Sequence, residues 1–536
     1  MSASTIFIGG KVYTGDPGKP AVSCLAVRDG RVAAVGDEGE VRALQGPGTR
    51  VVRLEGRAVV PGLADAHLHI LGYALSLDRL ALQGARSLAE IRQALATAAA
   101  RLAPGEWIVG RGWDQDQLAE RRLPARQDLD EVCPHHPVFL QRTCNHIAVV
   151  NSAALRAAGI DRHSPDPPGG RIDRDPVTGE PTGILRENAV DLVARLIPPV
   201  TPARRKELLA RALREAVRYG LTQLHTDDCL YAGGLDVAEA LFRELIGPEA
   251  IPIRITQAIP AEWLAEAAAA GIRTGAGDEW YRWGHVKLYA DGSLGGRTAA
   301  LLEPYADDPS TRGIYIHERE AFIDLVAEAH RLGNQVGCHA IGDGAAALFL
   351  DAVAESQRRH PRADARHRMI HCQILSEPLM ARMAALGVVG DIQPVFLNTD
   401  GHWYVDRVGP ERAATSYAWR SMMRHGIALC GGSDCPIEPL NPWYGVHVAV
   451  HRQDLTGVPE GGWYPEQRLT PEEALGLYTA GPAYAGFQES FRGRLLPGMA
   501  ADLAVLDRDP FACDPAELKD VRSTLTMVGG VIAHES

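Results

Sequence analysis

The sequence predicts an α/β fold: a (β/α)8 TIM-type barrel with a small composite β-sandwich domain from both chain ends and a large insertion after barrel strand 1. Three observations predict it. Apolar strand-like runs alternate with helical patterns through the middle of the chain, and eight such runs can be counted. Short runs broken by Gly-rich turns occur at both ends. About 150 residues separate His69 from Gly220, where one crossover helix needs a dozen or more.

The eight candidate strands begin with the one leading into His67. They continue with 220–225, 251–255, 284–291, 335–339, 368–371, 388–392 and 427–430. Helical patterns such as 321–332 and 344–355 lie between them, which is the signature of parallel βα units. Thr470-Pro-Glu-Glu473 is a helix start, with an N-cap, a proline in the first turn and a glutamate three residues on. At the ends, Asp29-Gly30 and Gly529-Gly530 are hairpin turns between apolar runs. Neither set of terminal strands makes a robust sheet alone. Residues 1–60 and 485–536 therefore pair into one β domain, and 61–484 form the barrel. The insertion, about 73–200, carries a helix over 88–102, a strand-like run over 138–141 and a Pro/Gly/Asp-rich loop over 161–183. Loops after barrel strands surround the active face, so the insertion is placed to act as a lid.

Composition narrows the function. The chain has 536 residues, 46% hydrophobic and 23% charged, as in an ordinary soluble enzyme that takes a small-molecule substrate. A net charge of −12 without a basic block argues against nucleic acid. No run of about 18 apolar residues occurs, so no membrane span is expected. The first residues lack the charged head and apolar core of a signal peptide. Nine scattered cysteines, odd in number and without a C-x-x-C pair, fit a reduced, cytoplasmic setting. A homodimer is one option that both parts of the fold leave open.

The chemistry gathers at predicted strand ends, the active face of this architecture. His67 and His69 stand at i and i+2 and share a face, with Leu68 turned into the packing behind them. Lys287, His339, His371 and Asp434 follow at the ends of later strands. Four neutral imidazoles and a carboxylate suit a divalent metal: zinc, with manganese or iron as alternatives. Each residue alone has a structural reading; the conjunction on one barrel face points to a metal site.

Several long motifs carry a resemblance. They are Pro-Gly-Leu-Ala-Asp-Ala-His67-Leu-His69, Gly-Trp113-Asp, His146-Ile-Ala-Val-Val-Asn151, Lys287-Leu-Tyr-Ala-Asp291-Gly-Ser293-Leu-Gly-Gly-Arg297, His339-Ala-Ile-Gly-Asp-Gly-Ala, Gly-Ser-Asp434-Cys-Pro and Pro497-Gly-Met-Ala-Ala-Asp-Leu. With them the chain resembles the metal-dependent amidohydrolase superfamily, in the branch of YtcJ-like proteins and N-substituted formamide deformylase. Ile370-His371-Cys-Gln departs from the Glu-His-Ala-Gln more usual there, but keeps the histidine. The resemblance implies that His67, His69 and Asp434 bind one metal, that His339 and His371 bind a second, and that a carbamate on Lys287 bridges them. One ion held by a subset stays open.

The expected reaction is hydrolysis at a carbonyl by metal-activated water. Asp434 serves as general base and acid, and His225 is a candidate donor to the carbonyl oxygen. Trp113, His146, Asn151, Asp291, Ser293 and Arg297 are candidate substrate contacts. The bond expected to break is C–N, in an amide, N-acyl or N-formyl compound. The alternatives are a cyclic amidine deaminase, a lactone or ester hydrolase, and a non-catalytic metal-binding or regulatory protein.

Overall fold

The computed structural model describes residues 2–115, 117–142 and 147–536. They divide into two compact units, Met1–Tyr73 with Leu209–Ser536, and Ala74–Leu208.

The first unit contains the barrel. Its strands are β1 (Leu63–Leu68), β2 (Leu221–Thr226), β3 (Arg254–Pro260), β4 (Tyr281–Tyr289), β5 (Val336–Ala340), β6 (Arg368–His371), β7 (Val389–Ile392) and β8 (Leu429–Gly431). Each pairs in parallel with its sequence neighbour, from β1 round to β8. The crossover helices are amphipathic in the way the 3.6-residue period demands: in the helix Arg319–Arg331, Phe322, Val326 and Ala329 are buried at spacings of four and three. Among the described residues the seam between β8 and β1 has no strand ladder. The Asp434 amide donates to the His67 carbonyl there, and the His69 amide to that of Cys435, both at 2.8 Å.

The run ahead of His67 is split. Ala58–Pro61 belongs to a terminal sheet, and Gly62 separates it from β1. A Cβ on Gly62 would lie 2.4 Å from Thr222 Cγ2, so only glycine lets β1 leave that sheet and lie beside β2.

The terminal residues build two sheets. One joins Arg31–Gly36, Cys24–Arg28, Thr5–Ile8 and Arg50–Arg53; the other mixes both ends, in the order Val531–Glu535, Ser523–Val528, Leu503–Leu506, Ala58–Pro61, Lys11–Tyr13, Ala21–Val22. Phe7, Leu25, Val59, Leu503 and Met527 pack between them. The hairpins turn at Asp29-Gly30 and Gly529-Gly530, all four residues at positive φ, as tight turns of this hand require. Helix Pro471–Leu477 carries the full capping box between Thr470 and Glu473.

The second unit holds a six-stranded sheet in the order Gly170–Arg174, Pro181–Glu187, Ile147–Val150, Val138–Arg142, Ile108–Trp113, Leu80–Ala81. Helix Leu88–Ala99 ends three residues short of its predicted end. Part of the loop expected over 161–183 is instead a hairpin: Gly170–Arg174 pairs with Pro181–Glu187. The Asp175 carboxylate accepts from the amides of Val177 and Thr178 and closes the turn between them. No helix among the described residues is long and apolar enough to cross a membrane.

One buried ion pair joins the C-terminal sheet to the barrel. Arg254, the first residue of β3, donates to both Asp502 oxygens at 2.9 and 3.0 Å, Arg492 approaches the same carboxylate at 3.5 Å, and the Gly529 amide donates to it at 2.8 Å. Burial pushes the Asp502 carboxyl up, but the two arginines carry it below its ordinary value. Asp502→Ala would leave two buried guanidiniums without their carboxylate. It should cost about 3–5 kcal/mol, read as a lower urea midpoint with an unchanged slope.

Candidate metal centre

His67 lies inside β1 and His69 just beyond its end, and their rings are 5.5 Å apart. Leu68 between them is fully buried, as the strand period requires. Asp434 arrives from the loop after β8 with φ of 55°, a conformation few aspartates adopt. Its Oδ1 stands 3.3 Å from His69 Nε2 and 3.6 Å from His67 Nε2. That oxygen is buried and makes no hydrogen bond. The three donor atoms lie within 4.8 Å of one another.

Second-layer contacts aim these groups. The backbone carbonyl of Asp227 sits 2.8 Å from His69 Nδ1. A carbonyl only accepts, so Nδ1 carries a proton and Nε2 is the atom turned to Asp434. Asp65, fully buried, accepts from the His67 amide at 3.1 Å, the Ser433 amide at 3.1 Å and the Ser433 hydroxyl at 2.6 Å. Gly432 makes room for this: a Cβ there would meet His67 N at 2.6 Å and Asp65 Oδ1 at 2.8 Å.

Lys287 reaches the same place from β4, its Nζ 3.1 Å from His67 Nε2 and 4.8 Å from the centre of the Tyr289 ring. Burial pushes its amine below the ordinary value, against the pull of Asp227, Asp434 and Asp391. His339 and His371 end β5 and β6 with ring centroids 4.5 Å apart, and His371 is 5.7 Å from His67. His339 Nε2 is 3.1 Å from the Gly292 carbonyl, which leaves its Nδ1 lone pair free to ligate. His371 Nδ1 is 2.7 Å from Gln393 Oε1, and Phe396 stacks on the ring at 5.7 Å.

The structure thus brings together His67, His69, Lys287, His339, His371 and Asp434. Asp291 also stands beside this group, its Oδ1 3.6 Å from His339 Nε2. His225 is 1% exposed and its Nδ1 lies 3.2 Å from the guanidinium of Arg368. Burial and that guanidinium hold it neutral, with Nδ1 turned to Arg368. Trp113 is fully buried in the core of the second unit, its indole N–H donating to the Leu140 carbonyl. Asn151 is fully buried too, capping helix Ser152–Ala158 and donating to the carbonyls of Cys133 and His136. Neither presents a polar group to a ligand. His146 lies outside the described residues. Asp291 is 2% exposed and accepts from the amides of Ala300, Ile341 and Gly342, tying the loops after β4 and β5 together. Burial raises its carboxyl to about 7 against those three bonds. Ser293 accepts from the Gly296 amide within its own loop, and Arg297 pairs with Asp307 at 2.9 Å. Sequence reasoning missed Asp65 and Gln393. Asp65 could have been found, since it stands two residues before His67 and shares its face.

A model described as the amidohydrolase family matches residues 50–534. The chain belongs to the amidohydrolase family. It is 36% identical to YtcJ of Bacillus subtilis over 99% of each chain. It is 30% identical to the N-substituted formamide deformylase of Arthrobacter pascens over 99% of this chain and 98% of that one. A solved metal-dependent hydrolase of Pyrococcus furiosus, itself uncharacterized, superposes with a TM-score of 0.77 at 31% identity. That match spans 95% of this chain and 99% of the other. The chain is accordingly a metal-dependent amidohydrolase. Its donors fit the metal: a buried carboxylate oxygen without a hydrogen bond, between two imidazole nitrogens, is an arrangement that a divalent cation satisfies.

Burial pushes the His69 imidazole down, but the Asp434 carboxylate beside it more than offsets this and carries it up to about 9. A cation must displace that proton, so below pH 9 the proton competes and affinity falls as pH falls. Zinc affinity of the amidohydrolase, measured by chelator competition from pH 8 to 6, should drop about tenfold per unit for this one proton.

Proposed function

We propose that this amidohydrolase cleaves the carbon–nitrogen bond of an N-acyl or N-formyl amide. The observation that carries the reading is Asp434, whose unsatisfied oxygen stands beside two imidazoles at the end of the barrel. A relative over nearly the full chain is named an N-substituted formamide deformylase, which brings that substrate class into consideration.

His67, His69 and Asp434 would hold one ion, zinc by the softness of a histidine-rich donor set. His339 and His371 would hold a second, with a carbamate on Lys287 between the two. Burial favours the neutral Lys287 amine. Its nitrogen adds to the carbon of CO2 and gives up a proton, and an anionic oxygen donor results. A divalent ion bound here would lower the pKa of a water to about 7 and polarise a carbonyl.

Asp434 moves the proton. Burial pushes its carboxyl up, but His69 and His371 carry it below the ordinary carboxylate range, so it is an anion able to accept. It takes a proton from the attacking water and delivers it to the leaving nitrogen, whose bond to the acyl carbon breaks. We assign no oxygen-polarising role to His225, whose Nδ1 faces the Arg368 guanidinium.

The test is amine release from N-formyl, N-acetyl and longer N-acyl amides, with zinc or manganese in bicarbonate buffer. Turnover is expected, and Asp434→Asn should lower it by about 10²–10⁴-fold while circular dichroism stays native. Ammonia release from cyclic amidines without amine release from any amide would overturn the reading.

A further inference from the structure

Gln393 follows β7, and its amide lies between two groups that fix which way round it points. On one side are the backbone oxygen and Oδ1 of Asp391, both 3.4 Å from Gln393 Nε2. A backbone carbonyl only accepts, and the Asp391 carboxylate, fully buried, is taken up by Arg368. The Gln393 nitrogen must therefore face Asp391, and its oxygen must face His371 Nδ1, 2.7 Å away. An amide oxygen only accepts as well. His371 consequently carries its proton on Nδ1, and the Nε2 lone pair is left for the metal group.

We propose that Gln393 is the positioning residue that sets the tautomer and ring plane of His371, and that the buried Arg368–Asp391 pair is its anchor. The inference rests on the reading of His371 as a metal ligand. Three features make the support directional. His371, the last residue of β6, has φ of 82°, outside the β region, so the strand ladder alone does not orient its side chain. Phe396 stacks against the ring at an interplanar angle of 18° and limits its tilt. Arg368 also donates to the Ala66 carbonyl at 2.5 Å, next to His67. One buried guanidinium therefore braces the backbone beside His67 and, through Asp391 and Gln393, the imidazole of His371. The acceptor is a neutral amide.

The test compares Gln393→Met, which keeps the length and removes the acceptor, with Gln393→Glu and His371→Ala. Zinc affinity is measured by chelator competition, and the absorption bands of the cobalt-loaded protein report ligand geometry. Urea midpoints are read alongside. Gln393→Met should lose 10–100-fold in zinc affinity and shift the cobalt bands, at a native urea midpoint. In Gln393→Glu the new carboxyl would stand beside Asp391 and take up a proton. Its hydroxyl then donates to Asp391 and its carbonyl accepts from His371, so this variant should stay within about threefold of wild type. A folded Gln393→Met with unchanged affinity and cobalt bands would overturn the inference. If Gln393→Met does not fold, Gln393→Asn, which keeps the amide but draws it back from His371, decides: lower zinc affinity with shifted cobalt bands supports the inference, and native values in a folded protein overturn it. Unchanged zinc affinity in His371→Ala would instead remove the ligand reading on which it stands.

Discussion

The carboxylate of Asp65 is the contact on which the site depends. A buried carboxylate without partners would cost several kcal/mol. This one takes three donors, two of them on Ser433, and burial still raises it to about 7. The Ser433 hydroxyl that donates to Asp65 also accepts from the Cys435 amide at 3.1 Å. The knot joins the first strand of the barrel to the loop after the last. It closes the seam where no ladder runs, and it brings Asp434, at the one residue between Ser433 and Cys435, up to His67 and His69. Barrel closure and assembly of the donor group are thus one event, and both require a glycine at 432.

The inside of the barrel is charged where an aliphatic filling would be more usual. Arg368 crosses it to Asp391, His225, His285 and the Ala66 carbonyl. Gly337 opens the space for His285, whose ring a Cβ there would strike at 2.1 Å. Such an interior is stable only because nearly every guanidinium hydrogen has an acceptor. In return it supplies fixed hydrogen-bond partners beneath the metal group, which aliphatic packing cannot do. The two imidazoles facing Arg368 are held neutral by burial and by its charge, so the arginine is the fixed charge that organises this layer.

Much of the fold was legible because it rests on local patterns. Strand period, turn pairs such as Asp29-Gly30 and the Thr470 capping box each act within a few residues, and each forms as read. The six clustered donors were legible because parallel strands deliver their C-terminal ends to one face. What was not legible depends on contacts that sequence spacing does not encode. His225 has the right position on its strand, but a guanidinium from β6, 143 residues away, claims it. Trp113 and Asn151 stand in motifs that suggest a pocket, yet the indole N–H and the carboxamide serve backbone carbonyls inside their own unit. Gln393 carries no spacing signal at all; only the meeting of β6 and β7 shows its role.

The most direct measurement is anomalous diffraction at the zinc edge from crystals grown with zinc. The account predicts a peak at bonding distance, about 2.0–2.2 Å, from His67 and His69 nitrogens and an Asp434 oxygen. Zinc bound elsewhere, with these three side chains unligated and Asp434 Oδ1 hydrogen-bonded to protein, would contradict it.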